Sequence, residues 1–132
     1  MTKVAIIPGD GVGPEVMAEA SKLMDTVTKA FHVDIEVVNF DLGADYYLET
    51  GLTLPEGVVA ELSDGFRAIL LGPLGDPRVQ DDRHAKEILW GLVRELDLFA
   101  GLRHIKLLSL DLCPLANKTE QDIDLILVWE GL

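Results

Sequence analysis

Val4-Ala5-Ile6-Ile7-Pro8-Gly9-Asp10-Gly11-Val12-Gly13-Pro14-Glu15 decides how the chain folds. Four apolar residues, three of them β-branched, run into Pro-Gly, as in a strand buried on both faces of a parallel sheet. Pro14 suits a first helical turn, and Glu15 suits the positive end of a helix dipole. Val16, Ala20, Leu23, Met24, Val27 and Phe31 then recur at helical spacing and mark one apolar face of a long amphipathic helix.

Outward from this stretch the same alternation continues. Ile35 to Phe40 reads as a second strand, and Ala44 to Glu49 as a short helix closed by Gly51. Pro55 opens another helix with Val58, Val59 and Leu62 inward, and Asp64-Gly65 is a turn. Ala68 to Leu71 is a third buried strand, stopped by Gly72-Pro73. Leu74 to Arg83 is a polar loop, and Ala85, Ile88, Leu89, Leu92 and Leu96 mark a second long helix. Leu102 to Leu110 reads as a strand, Pro114 to Asp122 as a polar connection, and Ile123 to Val128 as a last apolar run. The expectation is an α/β fold: a Rossmann-like, mostly parallel sheet flanked by helices, with residues 1–132 forming one domain.

The chain has 23 acidic and 11 basic residues, a net charge of −12, and 48% apolar residues. That composition excludes disorder, and the charge argues against nucleic acid and membrane surfaces as partners. A single cysteine, Cys113, rules out an intrachain disulfide and a cysteine-based zinc cluster, and a cytoplasmic home is expected. The start of the chain is too short for a secretory apolar region, and no transmembrane stretch is present. From Ile123 to Trp129 only Asp124 interrupts the apolar side chains. Both faces of that strand want cover, so a homo-oligomer or a protein partner over it is expected.

The glycine loop has two readings: backbone N–H groups at a helix start that receive an anion, or a tight strand-to-helix turn. Its spacing is neither the dinucleotide fingerprint nor a P-loop. Arg94 and Arg103 are candidates for holding a carboxylate, against a reading of Arg94 as a surface partner of Glu95. His32, His84 and His104 lack metal-ligand spacing and read as satisfied surface or loop residues. The aspartates between 76 and 82 are interrupted by Arg78 and read as a solvated loop. No catalytic constellation and no metal site is assigned.

Four segments in order carry a family resemblance. Ile6 to Val16, Leu71-Gly72-Pro73-Leu74-Gly75-Asp76-Pro77-Arg78, Leu96 to Arg103 and Asp124 to Val128 resemble segments of the β-decarboxylating isopropylmalate and isocitrate dehydrogenases. The likeness is nearest to 3-isopropylmalate dehydrogenases. It implies the N-terminal part of that fold and an ancestral NAD-dependent oxidative decarboxylation of a 2-hydroxy acid such as 3-isopropylmalate, with Mg²⁺ or Mn²⁺ as Lewis acid. By the same resemblance, Arg103 and Arg94 are assigned to substrate binding. Asp10, Gly11, Val12, Leu71, Gly72 and Leu74 are assigned to cofactor contact. The family's first substrate arginine falls on Val93, one position from Arg94, and its third on Trp129. Its tyrosine, lysine and metal aspartates lie beyond residue 132. The resemblance therefore implies a chain that is non-catalytic by itself, either a pseudoenzyme with a binding role or one piece of a split dehydrogenase.

Overall fold

The computed structural model describes residues 1–130. They fall into two compact units, Met1–Leu96 and a second that starts at Asp97.

In the first unit β1 (Thr2–Ile7) is the central strand of a three-stranded parallel sheet ordered β2-β1-β3, with β2 at Ile35–Asn39 and β3 at Ala68–Leu71. The register sets Val4 beside Val37 and Ala68, and Ile7 beside Leu71. Cover on both faces of the sheet explains why Val4 to Ile7 is continuously apolar rather than alternating. α1 (Gly13–Phe31) connects β1 to β2, and α2 (Ala44–Thr50) and α3 (Val58–Gly65) connect β2 to β3. The first crossover steps from β1 to β2, and the second steps back the other way across β1 to β3. Right-handed connection therefore sets α1 and α3 on opposite faces of the sheet. α4 (Arg83–Glu95) closes the unit. On the α3 and α4 side, Ala5, Ile7, Leu42, Val58, Leu62, Ile88 and Leu92 form one buried cluster, with Phe40 meeting Phe66 edge to face at 5.3 Å.

The inner face of α1 differs from the expected stripe. Met17 is buried and Ala20, Met24 and Val27 are half-buried, whereas Val16, Leu23 and Phe31 are exposed. The apolar stripe is wider than the face the sheet covers, and the helix settles on the Met17 side of it. The helix ends at His32, which takes a left-handed conformation and donates its N–H to the Thr28 carbonyl.

The second unit holds β4 (Ala100–Lys106) and β5 (Asp124–Glu130), paired antiparallel from Ala100 opposite Glu130 to Lys106 opposite Asp124. These strands form their own sheet and do not extend the parallel one. β4 stops at Lys106 instead of running to Leu110, because β5 begins at Asp124 and leaves Leu108 to Leu110 nothing to pair with. A 3-10 turn at Leu110–Leu112 follows.

Candidate functional site

Asp10 stands at the end of β1, where the chain must turn, and its carboxylate gathers three distant segments. Oδ1 accepts the Ala44 N–H at 2.7 Å, at the first turn of α2. Oδ2 accepts the Gly75 N–H at 2.8 Å and meets His84 Nε2 at 2.7 Å. An ionised carboxylate only accepts, so Nε2 carries the proton and donates it. Asp10 is 9% exposed and His84 is 0% exposed. Burial pushes the Asp10 carboxyl up, but the hydrogen bonds from Ala44, His84 and Gly75 outweigh it and hold it below its ordinary range. The His84 ring stacks on Tyr47 with centroids 6.1 Å apart, and its Nδ1 is buried without a partner among the described residues.

The glycine loop is a packed junction between β1 and β3. Gly9 has φ +76°, and a Cβ there would collide with the Pro73 carbonyl oxygen. A Cβ at Gly72 or Gly13 would strike the Pro8 carbonyl oxygen. The Asp10 N–H goes to the Pro73 carbonyl and the Gly13 N–H to the Asp10 carbonyl, both at 2.8 Å. These glycines therefore make room for backbone rather than for a ligand, which favours the tight-turn reading of the motif. Gly11 alone faces open space.

The residues assigned to cofactor contact divide between two clefts of the first unit. Asp10 and Gly11 border a cleft of about 650 Å³ whose wall includes Asp41, Asp45, Glu49 and Asp76. Its only arginine, Arg78, is held by Asp45 at 2.7 Å and Asp76 at 2.6 Å. Hydrogen bonds from Arg78 in turn pull the Asp76 carboxyl down to about 2. A dinucleotide's pyrophosphate does not fit this wall, since carboxylates outnumber the one arginine and neutralise it. Leu71, Gly72 and Leu74 border a second, apolar cleft of about 210 Å³ against Leu89 and Trp90. Val12 is exposed just before α1. Among the described residues no three His, Cys, Asp or Glu side chains are placed to hold a metal ion.

The substrate candidates also differ from one another. Arg94 Nε donates to Glu95 at 3.1 Å on the surface of α4, and Val93 beside it is half-buried. Arg103 lies on β4, and its guanidinium makes no ion pair or hydrogen bond with the described residues. Pairing of Gly101 with Trp129 and of Arg103 with Leu127 puts Arg103 and Trp129 on one face of the hairpin. A Cβ at Gly101 would collide with the Trp129 indole, so the ring lies flat over that glycine.

His84 is the residue that sequence reasoning misplaced: it is fully buried against Asp10, not a surface or loop residue. Its spacing carried a signal, because His84, Ile88 and Leu92 recur every four residues on the buried side of α4. His104 is exposed and bonds Asp124 at 2.7 Å. The half-buried Cys113 thiol donates weakly to the Leu115 carbonyl at 3.4 Å. Among the described residues no helix is long and apolar enough to cross a membrane.

Comparison with known proteins returns a family and a length. The profile of isocitrate/isopropylmalate dehydrogenases matches residues 3–132. The chain is 43% identical over 129 residues to a 3-isopropylmalate dehydrogenase of Nocardia farcinica, covering 98% of this chain and 36% of that protein. It is 37% identical to that of Thermobifida fusca, with the same coverage. Among solved structures, a β-decarboxylating dehydrogenase from Thermococcus kodakarensis superposes with a TM-score of 0.73 at 28% identity, over 100% of this chain and 34% of that one. An isocitrate dehydrogenase from Methylococcus capsulatus gives 0.68 at 25% identity, over 97% and 34%. The chain thus spans about a third of the length of these relatives.

Proposed function

This chain belongs to the isocitrate/isopropylmalate dehydrogenase family, and we propose that it is a binding member of it, a pseudoenzyme that does not turn over substrate alone. The residues at the three family arginine positions carry this reading. They are Val93, half-buried; Arg103, whose guanidinium has no partner among the described residues; and Trp129, set against Gly101. One guanidinium holds one carboxylate, and a dicarboxylic 2-hydroxy acid bound through it lacks the second clamp that fixes the reacting carbon. Arg94 is not a replacement: one step along a helix turns a side chain by about 100°, and Glu95 already engages it.

The proposed role is capture of a carboxylate at Arg103 together with a second polypeptide, a copy or a different chain, over the β4–β5 hairpin. A single cysteine suits a reducing, cytoplasmic setting for it. The test is NAD reduction with 3-isopropylmalate or isocitrate plus Mg²⁺ or Mn²⁺. The purified chain gives no turnover, and steady turnover overturns the reading.

A second reading, one piece of a split dehydrogenase, draws on Arg103, whose guanidinium has no partner among the described residues, and on the exposed hairpin. It predicts turnover when the chain is mixed with the remaining two thirds of the Nocardia farcinica enzyme. Val93 and Trp129 weigh against it, because a completing chain does not restore arginines at those positions.

A further inference from the structure

The outer edge of β5 carries a legible charge pattern. The Leu107 N–H donates to the Ile123 carbonyl at 3.0 Å, which makes 107 and 123 a hydrogen-bonded pair. Period-two alternation then turns the peptide groups of Leu125, Leu127 and Trp129 toward β4 and those of Asp124, Ile126, Val128 and Glu130 outward. No further strand pairs with them among the described residues. The outward residues read acid, aliphatic, aliphatic, acid. Asp124 bonds His104 at 2.7 Å and is partly neutralised by Lys106 at 3.4 Å, whereas Glu130 has no ion pair among the described residues.

A second copy is a poor occupant of this edge. Two-fold pairing of β5 along its whole length sets Asp124 opposite Glu130 of the copy, once at each end. The same pairing of β4 sets Arg103 opposite its own counterpart. Like charges directly opposite destabilise a ladder, and a net charge of −12 on each chain adds to the repulsion.

We propose that the β5 edge docks a strand of a separate polypeptide, with a basic residue opposite Asp124 and another opposite Glu130 and β-branched or aliphatic residues between them. This rests on the reading that a second polypeptide covers the hairpin, and it selects a different chain over a copy. The same polypeptide covers the hairpin faces, where Leu102, Ile126 and Val128 on one side and Ile105, Leu125 and Leu127 on the other are exposed.

The test uses the full chain and two seven-residue peptides whose five central residues alternate valine and threonine, one with a lysine at each end and the other with a glutamate at each end, so that the end residues fall opposite Asp124 and Glu130. Amide exchange is followed at Ile126 and Val128. In the chain alone these amides exchange freely. The lysine-ended peptide protects them and binds about tenfold tighter than its counterpart, as two reversed charge pairs require. Glu130→Lys sets opposite charges across the self-paired register, so that variant protects the same amides without any peptide. Protection in the unmodified chain alone, equal binding of the two peptides, or no self-pairing by the variant overturns the proposal. The readout does not depend on turnover, so this proposal and the family reading can each fail without the other.

Discussion

Met1–Leu96 and the β4–β5 hairpin each hold a strand rich in apolar residues, β1 and β5, and use it to opposite ends. In the first unit Ile6 and Ile7 are no more than 1% exposed, and the one buried carboxylate has three donors. In the hairpin every residue of β5 is exposed on a strand that holds Leu125, Leu127 and Trp129. Apolar composition therefore states only that a strand needs cover. Whether the chain at hand supplies that cover depends on helices returning over the sheet, as α1, α3 and α4 do in the first unit. A two-stranded ribbon alone is marginal in water.

Truncation on the two sides breaks this comparison most sharply. Ile88→Ala empties a fully buried site and is expected to lower unfolding free energy by about 3 kcal/mol, while Leu127→Ala on β5 changes it by less than about 0.5 kcal/mol. Denaturant unfolding followed by far-ultraviolet dichroism measures both. Equal losses would mean that the hairpin shares the core's cooperativity.

A smaller effect is expected at the polar hub. His84→Leu removes one of three donors from a buried carboxylate and costs about 2 kcal/mol. Because folding lowers the Asp10 pKa, its contribution is complete above the ordinary value of 3.8 and is lost as pH falls through the folded value. Stability therefore drops with acid below about pH 4, and Asp10→Asn flattens that drop. Parallel acid titrations of the two proteins would expose an unchanged slope.

The smallest effect belongs to Gly101→Ala, whose methyl group displaces the Trp129 indole. We expect a shift in tryptophan emission with the unfolding midpoint of the first unit unmoved. A moved midpoint would tie Trp129 to the core.

The strands of the first unit and the helices between them were legible because burial writes a local period into the chain. Ala68 to Leu71 and its Gly72-Pro73 stop fall where the structure has them. The α1 stripe was misjudged at Leu23 and Phe31, since periodicity shows where apolar residues stand and not how wide the covering surface is. Within the candidate site, the Arg94–Glu95 pair lay between sequence neighbours and was weighed from the sequence. The Asp10–His84 bond was not, because no local pattern links residues 74 positions apart. Division of the chain after Leu96 left no mark either, as no glycine- or proline-rich linker stands there.

The reach of Asp10 also bears on the order of events in folding. Its partners lie 34, 65 and 74 residues away, so each of its bonds waits for a distant segment to meet the end of β1: the start of α2, the Gly75 loop or α4. Closing such loops costs chain entropy before any bond repays it. Contacts of this kind are expected to form late in assembly, so that Asp10→Asn raises the unfolding rate more than it lowers the folding rate, which stopped-flow folding and unfolding measure. On that expectation the carboxylate is a kinetic bolt: a chain that has closed it stays folded longer, and a chain still searching does not feel it.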